Sequence, residues 1–134
     1  MKSRFIVAAA FAIVLAAGSP SLAHHGVSAY DVLNPITIKG TVTEFVLQNP
    51  HSMLFLDVKD KDGKVVNWAI EAGGPTALLR RGLRKTDFPA GVEVTVKGYR
   101  AKSGAPKANG QSVTLKDGRN FFLGAGDAAS APTQ

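Results

Sequence analysis

Ile36-Thr37-Ile38-Lys39-Gly40-Thr41-Val42-Thr43-Glu44-Phe45-Val46-Leu47 is the stretch on which the fold turns. β-Branched residues dominate it and apolar side chains recur every second position, the period of a strand with one buried face. Ile36, Ile38 and Val42 share that face, with Glu44 in the same phase. Gly40 in the middle predicts a bulge or a sharp bend. After Phe45 the alternation slips, as it does in a bent strand. Asn49-Pro50 then ends the pattern, because proline has no N–H to give to a ladder.

Working outward, residues 52–59 read as a second strand and 64–71 as a third, with Val66, Trp68 and Ile70 pointing inward. Between them Asp60-Lys61-Asp62-Gly63 is a hairpin turn in which Gly63 supplies a positive φ. Residues 73–82 predict a short helix: Pro75 or Thr76 suits its first turn, Arg80 and Arg81 its last, and Gly82 the position after its end. Leu78 and Leu79 are expected to face the sheet, followed by Leu83 or Phe88. Residues 92–99 alternate strictly and form a fourth strand. The Lys/Gly/Pro/Asn/Ala-rich segment 101–110 reads as a mobile loop. Residues 111–115 form a fifth strand and 120–123 a short sixth across the turn 116–119.

Three strands, one short helix and two or three more strands, the first long and bent at glycine, predict an all-β fold. The expected architecture is a small five- to six-stranded OB-like Greek-key barrel with the helix as its plug. A β-sandwich is the alternative. The expected layout is a signal peptide at 1–23, an N-terminal arm at 24–35, the barrel at 36–123 and a disordered tail at 124–134. Tyr30 and Val32 are candidates to pin the arm to the body.

The first 23 residues have the build of an export signal. Met1-Lys2-Ser3-Arg4 is basic, Phe5 to Ala17 is almost wholly apolar, Gly18-Ser19-Pro20 breaks the run, and Ser21-Leu22-Ala23 places small residues where a signal peptidase reads. A retained anchor is the alternative, disfavoured by the short run. No second apolar stretch approaches transmembrane length, so the mature protein is expected to be soluble, in a bacterial periplasm or secreted. Removing residues 1–23 leaves 111 residues, enough for one domain, and takes the formal charge from +6 to +4. The basic residues are spread out, and export argues against nucleic acid as the normal ligand. The chain has no cysteine. That excludes disulfides, thiolate metal sites and cysteine nucleophiles.

Cleavage after Ala23 would make His24 the first residue. A free N-terminal histidine offers its α-amine and its ring, and His25 adds a third nitrogen. Such a nitrogen set suits copper, with zinc or nickel as alternatives. The competing reading is a flexible arm that chelates metal only incidentally. The chain's one other histidine, His51, follows Pro50 at the end of the bent strand. It reads either as a further ligand or as a surface or half-buried histidine that caps the turn. Met53 lies two residues on, on the same side of a strand; its thioether would suit Cu(I), but the residue reads first as core. Glu71 could orient a histidine, although solvation or a pair with a helix arginine is the simpler reading. Asp60-Lys61-Asp62-Gly63 is too short for a calcium loop. Gly73-Gly74 before a helix is a weak anion signal. Phe45, Trp68 and Tyr99 could form a stacking platform, but alternating aromatics in a small barrel are more often core. No nucleophile elbow, phosphate loop, dinucleotide fingerprint or zinc-protease motif is present.

The stretch from His24 to about Phe122 resembles a family of small exported bacterial proteins known only as a domain of unknown function. The resemblance rests on His24-His25-Gly26, Gly40-Thr41-Val42, Asn49-Pro50-His51, Leu56-Asp57-Val58, Asp62-Gly63-Lys64 and Asn67-Trp68. It continues through Gly74-Pro75 with Leu78-Leu79-Arg80-Arg81-Gly82, Gly91 with Glu93-Val94-Thr95-Val96 and Gly98-Tyr99, Ser112-Val113-Thr114-Leu115 and Asp117-Gly118-Arg119. Met53 stands where the resemblance implies an aromatic, and Val27 where it implies a larger apolar residue. The resemblance implies no particular activity. Three expectations follow from the residues: a copper-type metal carrier or accessory factor using His24, His25 and His51; a non-enzymatic module that binds another exported protein or an anionic ligand; and, last, an oxidative enzyme with a histidine brace. The chain is expected not to be an enzyme, because so short a domain offers no obvious substrate-binding face.

Overall fold

The computed structural model describes residues 28–124. The expected signal peptide, His24, His25 and the residues beyond Gly124 lie outside the described residues. Six strands run in the order β1 (Tyr30–Val46), β2 (Met53–Lys59), β3 (Val65–Glu71), β4 (Glu93–Ala101), β5 (Lys107–Leu115) and β6 (Asn120–Phe122), with the helix α1 (Pro75–Arg80) between β3 and β4. The sheet order is β3-β2-β1-β4-β5-β6, and a further β3–β5 pairing closes the first five strands into a barrel. That pairing is parallel while the others are antiparallel. The closed mixed barrel bears out the OB-like reading and rules out the sandwich. β6 is an extra strand on β5.

β1 explains how one strand serves both halves of the barrel. Its first part pairs with β4, from Pro35 opposite Tyr99 to Thr41 opposite Glu93. Its second part pairs with β2, from Thr41 opposite Asp57 to Val46 opposite Met53. Thr41 is where the partners change. Gly40 is needed there for close approach: a Cβ at that position would lie 2.8 Å from the Asp57 carbonyl oxygen and 2.9 Å from Val58 Cγ2. The bulge itself falls between Val42 and Glu44, not at Gly40. It moves the inward phase from Val42 to Phe45, so Val42 and Phe45 are both buried and Glu44 is exposed.

Three further expectations shift. β1 begins at Tyr30, so half of the expected arm is strand. Tyr30 is buried and pins it, whereas Val32 is 43% exposed and does not. Segment 101–110 is not all loop. Lys107, Ala108 and Asn109 pair with Ala69, Ile70 and Glu71 and form the closing seam. Of the two helix leucines only Leu78 is buried; Leu79 is 40% exposed, as a helix six residues long can bury only one stripe.

The core gathers Ile38, Val42, Phe45, Leu54, Leu56 and Ile70 with Leu78, Leu83, Phe88, Val94, Val96, Val113 and Leu123. Each fully buried aliphatic side chain contributes about 1.5–3 kcal/mol. The turns follow the sequence. Gly63 has φ 80°, and the Asp60 carboxylate accepts from the Asp62 and Lys64 amides at 2.8 and 2.9 Å.

Candidate functional site

The titratable cluster of interest lies where the barrel closes, at the first residue of β1, the last residue of β3, the first residue of β5 and the loop before β2. Glu71 is at its centre. One carboxylate oxygen, Oε1, stands 2.8 Å from His51 Nδ1. The other, Oε2, accepts from the Tyr30 hydroxyl at 2.7 Å and lies 3.7 Å from Lys107 Nζ. Glu71 is only 12% exposed at its side chain and His51 41%. Burial, together with the hydrogen bond to the Glu71 carboxylate, pushes the Tyr30 hydroxyl well above the usual phenol range. Tyr30 is therefore a neutral donor at any physiological pH.

The backbone fixes His51 in this place. Its neighbour Ser52 continues the β2–β3 ladder beyond the strand ends: the Ser52 amide donates to Gly73 O at 3.1 Å, and the Ala72 amide donates to Ser52 O at 2.8 Å. The Asn49-Pro50 bond is cis. Gly74 lets the loop pack closely, because a Cβ there would lie 3.0 Å from the Pro50 carbonyl oxygen. From His51 onward the side chains alternate: Ser52, Leu54 and Leu56 are buried, while His51, Met53 and Phe55 take the outer face. The Ser52 hydroxyl is buried with no hydrogen-bond partner among the described residues.

The geometry decides two readings that the sequence left open. Glu71 is neither free in solvent nor paired with a helix arginine; it holds His51. Nor is His51 a cap of its own turn: its side-chain partner among the described residues is a carboxylate twenty residues away. Met53 departs from the core reading. It is half-buried on the outer face and sits opposite Glu71 in the β2–β3 register. Tyr30 had been noted only as a pin, and Lys107 had been placed in the loop. Their meeting at Glu71 depends on the parallel β3–β5 seam, for which the sequence has no local signal.

Other candidates do not assemble. Phe45 packs edge-on against Phe88 in the core, at 5.3 Å between ring centroids. Trp68 lies under the Arg100 guanidinium at 5.1 Å, so Phe45, Trp68 and Tyr99 form no common stacking platform. Arg119 bridges Asp87 at 2.6 Å and Asp117 at 2.9 Å, tying the 3-10 turn Lys85–Asp87 to the β5–β6 hairpin. Among the described residues no three His, Cys, Asp or Glu side chains group closely enough to hold a metal ion. No helix among them is long and apolar enough to cross a membrane.

The fold and this cluster define a small closed β-barrel domain with one carboxylate-oriented histidine beside the root of its N-terminal arm. The chain belongs to a family of unknown function (DUF6152), whose profile matches residues 10–111. No curated protein matches it.

Proposed function

We propose that the protein is an exported metal carrier or accessory factor of the bacterial periplasm or exterior, not an enzyme. It binds a transition metal of copper type through the His24 amine and ring, His25 and His51. The observation that carries this reading is the double use of Glu71. One oxygen stands 2.8 Å from His51 Nδ1, which would leave Nε2 to act as the ligand, and a carboxylate beside a histidine is the arrangement that tunes metal-bound histidines generally. The other grips Tyr30, six residues after His24 and five after His25. Six residues span at most about 20 Å when extended. Tyr30 is thus hydrogen-bonded to the carboxylate that His51 also contacts, and chain length alone would allow both arm histidines to reach it. The charge of Glu71 also favours a cation nearby, and Lys107 offsets part of it.

The test is a Cu(II) titration of protein beginning at His24, beside a form carrying one extra N-terminal alanine and a His51→Ala variant. Tight one-to-one binding that weakens in both altered forms is the expected result. Binding that ignores His51 would reduce the arm to an incidental chelator.

One observation favours a second reading, an interaction module for another exported protein. Between Tyr30 and Pro35 the pairing of β1 with β4 is interrupted, and the extra residues carry Val32 and Leu33 outward, Leu33 to 87% exposure. An aliphatic pair on such a protrusion suits a protein partner.

A further inference from the structure

We infer that Met53 is a soft ligand of the same site, so that the barrel offers a thioether–imidazole pair for Cu(I) beside the nitrogen set for Cu(II). This rests on the metal-binding reading above and extends it to a second oxidation state. Four observations lead to it. Apart from the initiator, Met53 is the only methionine of the chain, and there is no cysteine, so its sulfur is the one soft donor of the mature protein. The alternation of β2 sends Leu54 and Leu56 into the core and leaves Met53 half-buried on the outer face. Met53 stands directly opposite Glu71, and facing residues of an antiparallel pair have Cβ atoms about 4.5–5.5 Å apart. Finally, Glu71 Oε1 holds His51 Nδ1 at 2.8 Å. His51 and Met53 thus flank one carboxylate from the same side of the sheet.

The chemistry separates the two donor sets. Thioethers bind Cu(I) and have little affinity for Cu(II), whereas amine and imidazole nitrogens suit Cu(II). Monovalent copper tolerates low coordination, so the His51 imidazole and the Met53 thioether suffice as a pair. No electron transfer is required of the protein; it accepts the ion in either state. The partial burial of Met53 limits the range of its flexible side chain while leaving it open from solvent.

The experiment is an anaerobic competition for Cu(I) against a coloured Cu(I) chelator, run in parallel with the Cu(II) titration, on protein starting at His24 and on its Met53→Leu and His51→Ala variants. Leucine conserves the volume of methionine and should leave the fold intact, which melting curves check. Loss of groups that only orient ligands already costs about 10–100-fold in metal affinity, so Met53→Leu should weaken Cu(I) binding by at least about tenfold. It should leave Cu(II) binding unchanged, and copper-edge X-ray absorption should show a sulfur neighbour that the variant lacks. Equal Cu(I) affinity in wild type and Met53→Leu, or an absorption spectrum with nitrogen neighbours only, overturns the inference. If Cu(II) binding still depends on His51 in that case, the nitrogen site stands without the sulfur. A His51-independent Cu(II) titration instead removes the parent reading, and the Cu(I) competition then judges the Met53–His51 pair by itself.

Discussion

Replacing Glu71 by alanine tests whether one carboxylate supports both the arm root and the barrel histidine. The loss leaves the buried Tyr30 hydroxyl without its acceptor, which costs about 1–3 kcal/mol for an orphaned buried donor. The His51 contact, on a side chain 41% exposed to solvent, adds about 0–1 kcal/mol. The Lys107 contact at 3.7 Å adds less still. The sum is about 1–4 kcal/mol, and in a domain of this size each kcal/mol moves the melting temperature by about 4–8 °C. Tyr30→Phe alone removes one hydrogen bond, about 1 kcal/mol. In the double variant nothing buried is left unpaired, so it should be little less stable than Glu71→Ala alone. Urea unfolding followed by circular dichroism, with a shared slope to confirm two-state behaviour, gives the coupling energy, expected at about 1 kcal/mol or more. If the two single losses add within about 0.3 kcal/mol, the Tyr30–Glu71 bond contributes nothing and the arm has no anchor at the site.

Two further outcomes follow from the same structure. Gly40→Ala would put a methyl 2.8 Å from the Asp57 carbonyl oxygen; backbone cannot yield cheaply there, so the variant should lose about 1–3 kcal/mol, and wild-type stability by urea titration would refute the close-approach argument. The raised Tyr30 ionisation means that the folded state holds this proton more tightly than the unfolded chain, whose phenol titrates near about 10; the stabilisation is fully present below that pH and is lost as pH rises above it, so melting temperatures between pH 8 and 11 should fall more steeply for wild type than for Tyr30→Phe, and parallel curves would refute it.

Much of the barrel was legible because its strands are local events. The β2–β3 hairpin follows from alternation and from Asp60 and Gly63, and α1 from Pro75 and Gly82. Gly40 announced that β1 could not be a plain strand, although the physical reason is contact with β2 and the bulge lies two residues on. What the sequence concealed was non-local. Lys107, Ala108 and Asn109 sit in a segment of turn-forming composition, and only the parallel partner Ala69–Glu71 makes them strand. The site was half legible for the same reason. His51 stood out as a rare residue type after a proline, and Glu71 could be named as an orienter of some histidine, but that the two meet depends on a contact no spacing rule encodes. Met53 was misassigned because an apolar residue beside a strand of core leucines reads as core until the phase of that strand is known. Leu79 failed likewise, by one position on a short helix.

The closing seam therefore does two jobs through one side chain. Glu71 ends β3 at the point where β5 joins it, and its carboxylate faces the first residue of β1 and the loop before β2 at once. A carboxylate 12% exposed needs donors on both oxygens, and Tyr30 and His51 supply them. The contact of Oε1 with a 41% exposed imidazole adds little stability in water, yet it holds the ring beside the carboxylate. Under the metal-binding proposal that asymmetry is what a positioned ligand would show: small in the folding free energy, large in metal affinity. Tyr30→Phe and His51→Ala separate the two jobs, the first drawing on stability and the second on metal affinity, whereas Glu71→Ala draws on both.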